Sequence, residues 1–169
     1  MFTSIVALIL TASSGVTSAP NVDHELAATR RSTVVRPYVA VKKPAKVTFT
    51  QRVDAAVAKV PGASSATWIV QDRGAWGATD LGAGIVYIAP RTPAGRVLDV
   101  VRHEWVHVQQ GRVYGGIAQA RTALAPWGGV EIVADCGAKA LGATWTNYIK
   151  RCSPAQTAAA RNIIAGRPA

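Results

Sequence analysis

VVRHEWVHVQQG, residues 100–111, decides how the rest of the chain is read. In a helix each residue turns the backbone by about 100°, so His103 and His107, four positions apart, differ by about 40° and lie one turn above each other. Two imidazoles so placed converge on one metal ion without any loop having to be ordered first. Glu104 sits on the adjoining edge of the same helix, within reach of a water on that ion, where it can act as general base. The chain holds only three histidines and three glutamates, so a shuffled sequence would contain His-Glu-x-x-His about once in a thousand trials. Decoration of a solvated helix face is therefore the weaker reading. A catalytic zinc site commonly has three protein ligands and one open position, so a third ligand has to be sought elsewhere. Asp99, one turn before His103, is placed either to support the metal site or to pair with Arg96 or Arg102.

Reading on from the motif discriminates between subclasses. The metzincin extension needs a glycine six and a histidine ten residues after the first histidine; Gln109 and Val113 stand there, which excludes it. Further on, Glu131-Ile-Val-Ala-Asp135 places two more carboxylates four apart, on the next predicted helix. With this pair the sequence resembles the gluzincin branch of the HEXXH zinc metallopeptidases, the zincins, whose thermolysin-like members follow HEXXH with ExxxD. The resemblance implies Zn²⁺ held by His103, His107 and Glu131, with Glu104 as the catalytic base. It makes Asp135 the carboxylate that accepts a hydrogen bond from His103. A ligating imidazole commonly donates its other N–H to such a group, which fixes its tautomer. The surroundings of the pair, VEIVADC, are apolar, and unpaired carboxylates there would be costly to bury without a cation nearby.

The resemblance covers the two helices, roughly residues 97–141, and reduces the family's pattern to a minimal domain. Residues 48–169 leave no room for the large C-terminal helical domain of thermolysin-like enzymes, which completes the cleft and supplies oxyanion-stabilising side chains. Tyr87, Tyr114, Tyr148 and His24 are the candidates for that donor, although packing is the commoner role of such side chains. The short strands ending in GAGIVYIA fit the family's edge strand, which borders the cleft and pairs with an extended peptide. Trp105, at an x position of the motif, is expected to pack behind the metal-bearing face, and Trp76 and Trp127 are candidates for the cleft border.

Punctuation supplies the remaining elements. A helix follows Thr48 or Thr50 over QRVDAAVAKV and stops before Pro61-Gly62. Strands are expected at 66–71, 75–79 and 84–89. The motif helix takes Thr92 as N-cap, Pro93 as its first residue and Gly111 as its stop. Residues 113–129 read as a glycine-containing loop, followed by a helix from about Val130 to Leu141 and a last one opened by Ser153-Pro154 and closed by Gly166. A helix, short strands and then helices argue for an α+β fold.

The chain's 169 residues suit one domain, and 49% apolar with 17% charged residues argues against wholesale disorder. Residues 1–19 are uncharged, carry an apolar run from Ile5 to Leu10 and end in Thr17, Ser18 and Ala19, the pattern of a signal peptide; a buried N-terminal helix or strand fits the same signals. The run is too short to span a bilayer, so the mature chain is expected to have no transmembrane span. Residues 20–47, with six basic against two acidic side chains, hold +4 of the net +10 and read as a basic linker or propeptide. Cys136 and Cys152 fit one disulfide in an exported chain, worth about 3 kcal/mol, with free buried thiols as the alternative in a reducing compartment.

These features together predict a small secreted or cell-envelope metallopeptidase acting on a peptide or protein substrate, its positive charge drawing it to an anionic cell-surface polymer. Basic residues are scattered, with no aromatic interleaving of a reader motif, which disfavours nucleic acid as a partner. The alternative is a non-catalytic secreted binding or structural module that retains a zincin-like core.

Overall fold

Thr48 sets the first element. Its hydroxyl accepts from the Gln51 N–H at 3.2 Å while the Gln51 side chain accepts from the Thr48 N–H at 2.9 Å, a reciprocal cap that starts helix α1, Phe49–Val57. The computed structural model describes residues 45–169. The expectations for residues 1–19, for His24 and for all but the end of the 20–47 segment lie outside the described residues. After α1 come three strands, β1 (Thr67–Val70), β2 (Gly77–Asp80) and β3 (Ile85–Ile88). Four helices follow: α2 (Val97–Tyr114), α3 (Ile117–Leu124), α4 (Val130–Ala140) and α5 (Pro154–Ile164). The fold is α+β, as the punctuation predicts.

The strand order is β1-β3-β2, with β1 parallel and β2 antiparallel to β3. A tight turn closes the β2–β3 hairpin: the Asp80 carboxylate accepts from the N–H groups of Gly82 and Ala83, each at 3.0 Å. This order shows which of the short strands lies at the rim. GAGIVYIA forms the middle strand, and the rim strand that runs beside α2 is β2. Buried Val86 and Ile88 suit the central position, since β3 is covered where β2 is only half-buried.

Helix α2 is the axis of the domain. One side of it, with Val97, Val100, Val101, Trp105 and Val108, packs on α1 and the sheet; Val106 faces a second cluster built from α3, α4 and α5. Trp105 is 2% exposed, on the sheet side behind the histidines as expected. The helix starts and stops later than its punctuation suggests. Thr92 donates its hydroxyl to the Trp76 carbonyl at 3.1 Å instead of capping, Pro93 opens a single turn, and α2 begins at Val97. It runs through Gly111 to Tyr114 and is capped by Gly115 at φ 79°. Gly111 is present for another reason: a Cβ there would lie 2.0 Å from the Leu81 carbonyl oxygen, so the β2–β3 turn crosses α2 at a point only glycine leaves open.

Residues 113–129 are not a plain loop, since α3 and a short 3₁₀ turn at Ala125–Trp127 occupy most of them. Ala120 and Leu124, four apart, are the buried face of α3. Helix α5 repeats the device of α1, with Ser153 and Gln156 capping each other and Pro154 in the first turn. Cys136 on α4 and Cys152 just before α5 form a disulfide, with their Cα atoms 5.8 Å apart. No helix among the described residues is long and apolar enough to cross a membrane.

Candidate metal centre

Helices α2 and α4 cross so that His103, His107 and Glu131 meet in a group able to hold a metal ion. The two Nε2 atoms are 3.0 Å apart, and Glu131 Oε2 lies 3.2 Å from that of His107 and 3.3 Å from that of His103. A tetrahedral ion with bonds of about 2.0–2.1 Å has ligand–ligand edges of roughly 3.3–3.4 Å, so the donor triangle is close to the size such an ion needs.

The tautomers make this triangle informative. His103 Nδ1 donates to Asp135 Oδ1 at 2.8 Å, and a carboxylate only accepts. His107 Nδ1 lies 2.8 Å from Gln110 Oε1, while Gln110 Nε2 donates to the Val130 carbonyl at 2.9 Å; that bond fixes the amide so that its oxygen faces the histidine. In their neutral form both rings therefore carry their proton on Nδ1 and turn the Nε2 lone pair inward, toward a carboxylate oxygen. Three electron pairs facing one another at this distance repel unless a proton or a metal ion stands between them.

Proton and metal compete for those electron pairs. Burial opposes charging His103, but the hydrogen bonds to Asp135 and Glu131, and the nearby Glu104 charge, push its pKa up to about 10. Burial likewise opposes the charge on Glu131, and the two histidines outweigh it, holding that carboxyl far below its ordinary range. Asp135 is lowered for the same reason: against burial stand His103 and the backbone N–H groups of Tyr148 and Ile149, at 2.6 and 3.0 Å from Oδ2. The site is partly open, His107 being buried and the Glu131 side chain 41% exposed.

Glu104 stands apart from the triangle. Only 5% exposed, it accepts from the Thr79 hydroxyl at 2.7 Å through Oε2. Gly77, two residues earlier on β2, makes room for the other oxygen: a Cβ there would lie 2.3 Å from Oε1. Strand β2 thus fixes one carboxylate oxygen and leaves a slot for the other.

No family model matches this chain. No curated protein and no solved structure matches it either. The arrangement is therefore read from its own geometry.

A cleft of ≈ 250 Å³ opens beside the site, lined among others by Trp76, Gly77, Val100, Glu104, Trp145 and Tyr148. Of the tyrosine candidates only Tyr148 reaches it. Its ring stacks on His103 with centroids 5.9 Å apart, and burial, with the Glu131 charge beside it, raises its pKa. Tyr114 accepts from the Ala169 N–H, and the Tyr87 ring lies under the Arg73 guanidinium, so both serve packing. Trp76 borders the cleft as expected. Trp127 does not, packing instead in the α3–α5 cluster.

Asp99 pairs with Arg102 at 3.1 Å and is 4.0 Å from Arg96, and it does not touch His103. Sequence reasoning passed over Gln110, Thr79, Gly77 and, Tyr148 apart, the 142–149 segment. Gln110 was within reach, since it follows His107 by three residues on the same helical face. Thr79, Gly77 and the segment carry no local signal, because each acts across the fold.

Proposed function

We propose that the chain is a small exported zinc-dependent metallopeptidase of gluzincin type. The observation that carries this reading is the convergence of His103 Nε2, His107 Nε2 and Glu131 Oε2 within 3.0–3.3 Å, next to a buried carboxylate that is not part of the triangle. Two imidazoles and one carboxylate oxygen in a near-tetrahedral setting suit Zn²⁺, and Asp135 and Gln110 hold the rings in the tautomers it requires. Bound there, Zn²⁺ supplies Lewis acidity, which polarises a carbonyl and lowers the pKa of a water toward about 7.

The chain's own residues account for the proton. Glu104, held through Oε2 by Thr79, uses its remaining oxygen to take a proton from the attacking water and delivers it to the departing amine as the peptide C–N bond breaks. The rim strand β2 offers its free edge to an extended peptide, a common mode of recognition. Export is supported by the disulfide and the uncharged leader-like N-terminus, and the net charge of +10 favours anionic surfaces such as cell-wall polymers.

Glu104→Gln is the decisive variant. It should keep about one zinc per chain, since Glu104 is not a ligand, and lose all hydrolysis of a mixed peptide library followed by mass spectrometry. Equal cleavage by the two proteins refutes the mechanism. Zinc in both with cleavage by neither refutes the enzyme and leaves a metal-stabilised binding module.

A further inference from the structure

The mechanism uses three of the acidic side chains at the cleft but gives Asp99 no part. That carboxylate is 5% exposed, in the first turn of α2, one turn before His103. A buried carboxylate is costly unless its oxygens are satisfied, so its partners indicate its purpose. Apart from Arg102 and Arg96, they all belong to one irregular segment. Thr144 donates its N–H to Oδ1 at 3.3 Å and its hydroxyl to Oδ2 at 3.0 Å, and the Trp145 N–H reaches Oδ2 at 3.1 Å. The Arg102 guanidinium, paired with Asp99, also donates to the Gly142 carbonyl at 2.9 Å. At its far end the same segment is tied by Asp135 through the N–H groups of Tyr148 and Ile149.

Residues 142–149 are therefore held at both ends by buried carboxylates from two different helices. Between the ties, Trp145 lies against Trp76 from across the cleft, their ring centroids 5.2 Å apart and the planes at 42°, with Val100 of α2 lining the space beside them. The Arg96 guanidinium lies 5.4 Å from the Trp145 ring. Asp135 serves the metal and the wall together; Asp99 serves only the wall.

We propose that Asp99 is a positioning residue for substrate selection: it fixes the 142–149 wall so that Trp145 and Trp76 form an aromatic face receiving a flat apolar side chain next to the cleaved bond. The selection rests on the peptidase reading above; the positioning of the wall does not. Holding the wall in place before binding spares the ordering cost that a loose segment of this length would impose on each substrate. The loss should therefore appear in KM and not in the chemical step.

Thr144→Val tests this without disturbing a charge, with Asp99→Asn as the stronger perturbation and Thr144→Ser as the rescue. Two indoles this close give an exciton couplet in circular dichroism, assigned by its disappearance in Trp76→Phe. In Thr144→Val and Asp99→Asn the couplet should fall by about half or more while each chain retains about one zinc; Thr144→Ser should restore it. For the best-cleaved library peptide with an aromatic residue beside the cleaved bond, Thr144→Val should raise KM roughly tenfold with kcat within about twofold. A couplet unchanged in both variants overturns the positioning role, whether or not the wild type cleaves anything. A fall in kcat at constant KM overturns the selective role. A collapsed couplet in a protein whose wild type cleaves nothing retains the wall and removes the enzyme.

Discussion

Replacing Thr79 with valine removes one hydroxyl and almost nothing else. Valine keeps the volume and the β-branched shape, so the pairing of residue 79 with Val86 on β3 should survive. What is lost is a 2.7 Å hydrogen bond to the Glu104 carboxylate in a partly buried site. Bonds to charged acceptors contribute about 1.5–3 kcal/mol, and 1.4 kcal/mol is a factor of ten. If the bond orients Glu104 for proton transfer, kcat should fall by roughly 10- to 100-fold, KM and zinc content staying as in the wild type. Thr79→Ser, which restores the hydroxyl, should recover most of the rate. If the bond serves only the fold, the same energy appears as a lower unfolding free energy in denaturant titration with kcat nearly intact. Thr79→Val cleaving within about twofold of the wild type refutes the reasoning, because Glu104 would then be oriented without β2.

Metal binding should release protons. With the His103 pKa at about 10 in the metal-free protein, zinc added at pH 8 has to displace about one proton, measurable by calorimetry in buffers of different ionisation enthalpy; no release contradicts the site as drawn. The sign for stability follows from the same shifts. The raised His103 pKa stabilises the metal-free fold fully below pH 6.5, and that contribution is lost as pH rises through about 10. The lowered carboxyls Glu131 and Asp135 contribute above their ordinary values, and that is lost as pH falls below them, so urea unfolding without metal should give a stability curve that declines on both sides. Asp135→Asn cannot satisfy both His103 and the 148–149 backbone, and should weaken zinc binding about 10- to 100-fold in a chelator competition. Gly111→Ala sets two effects against each other: alanine gains about 1 kcal/mol in helix propensity, yet its Cβ meets the Leu81 carbonyl at 2.0 Å. Overpacking against backbone costs about 1–3 kcal/mol or more, so the melting temperature should fall; a rise would mean that the β2–β3 turn yields.

What the sequence disclosed and what it withheld divide along one line. Glu131 and Asp135, like His103 and His107, are four apart on a helix, so their shared faces follow from helical geometry before any fold is known. The caps at Thr48 and Ser153 are equally local, each completed three residues later. Gly111 shows where local reading fails. The same residue marks a helix stop in one context and a close crossing in another, and only the position of Leu81, thirty residues earlier, decides between them. Helix α3 was missed because its cap, Gly116, carries no side-chain signal and its buried face is only Ala120 and Leu124. Which of the short strands lies at the rim is set by pairing across the sheet: the apolar IVYI of β3 takes the centre and GATD of β2 the edge beside α2.

The 142–149 segment is the extreme case and explains how so small a domain comes to have a cleft at all. A cleft needs two walls that stay apart. Here α2 supplies the floor, β2 one wall, and the other is irregular backbone whose N–H groups end on carboxylates some 45 residues away in one case and 13 or 14 in the other. The charge distribution supports this use of acidic groups. A chain of net charge +10 has only nine acidic residues, and Asp99, Glu104, Glu131 and Asp135 all gather here, against the trend of the whole. Arg102 balances Asp99, which leaves three carboxylates around two imidazoles that a bound metal would hold in their neutral form. A divalent cation at the triangle would reduce that to about one negative charge, and Glu104, the carboxylate that neither binds the ion nor orients a ligand, is where it would remain available to accept a proton.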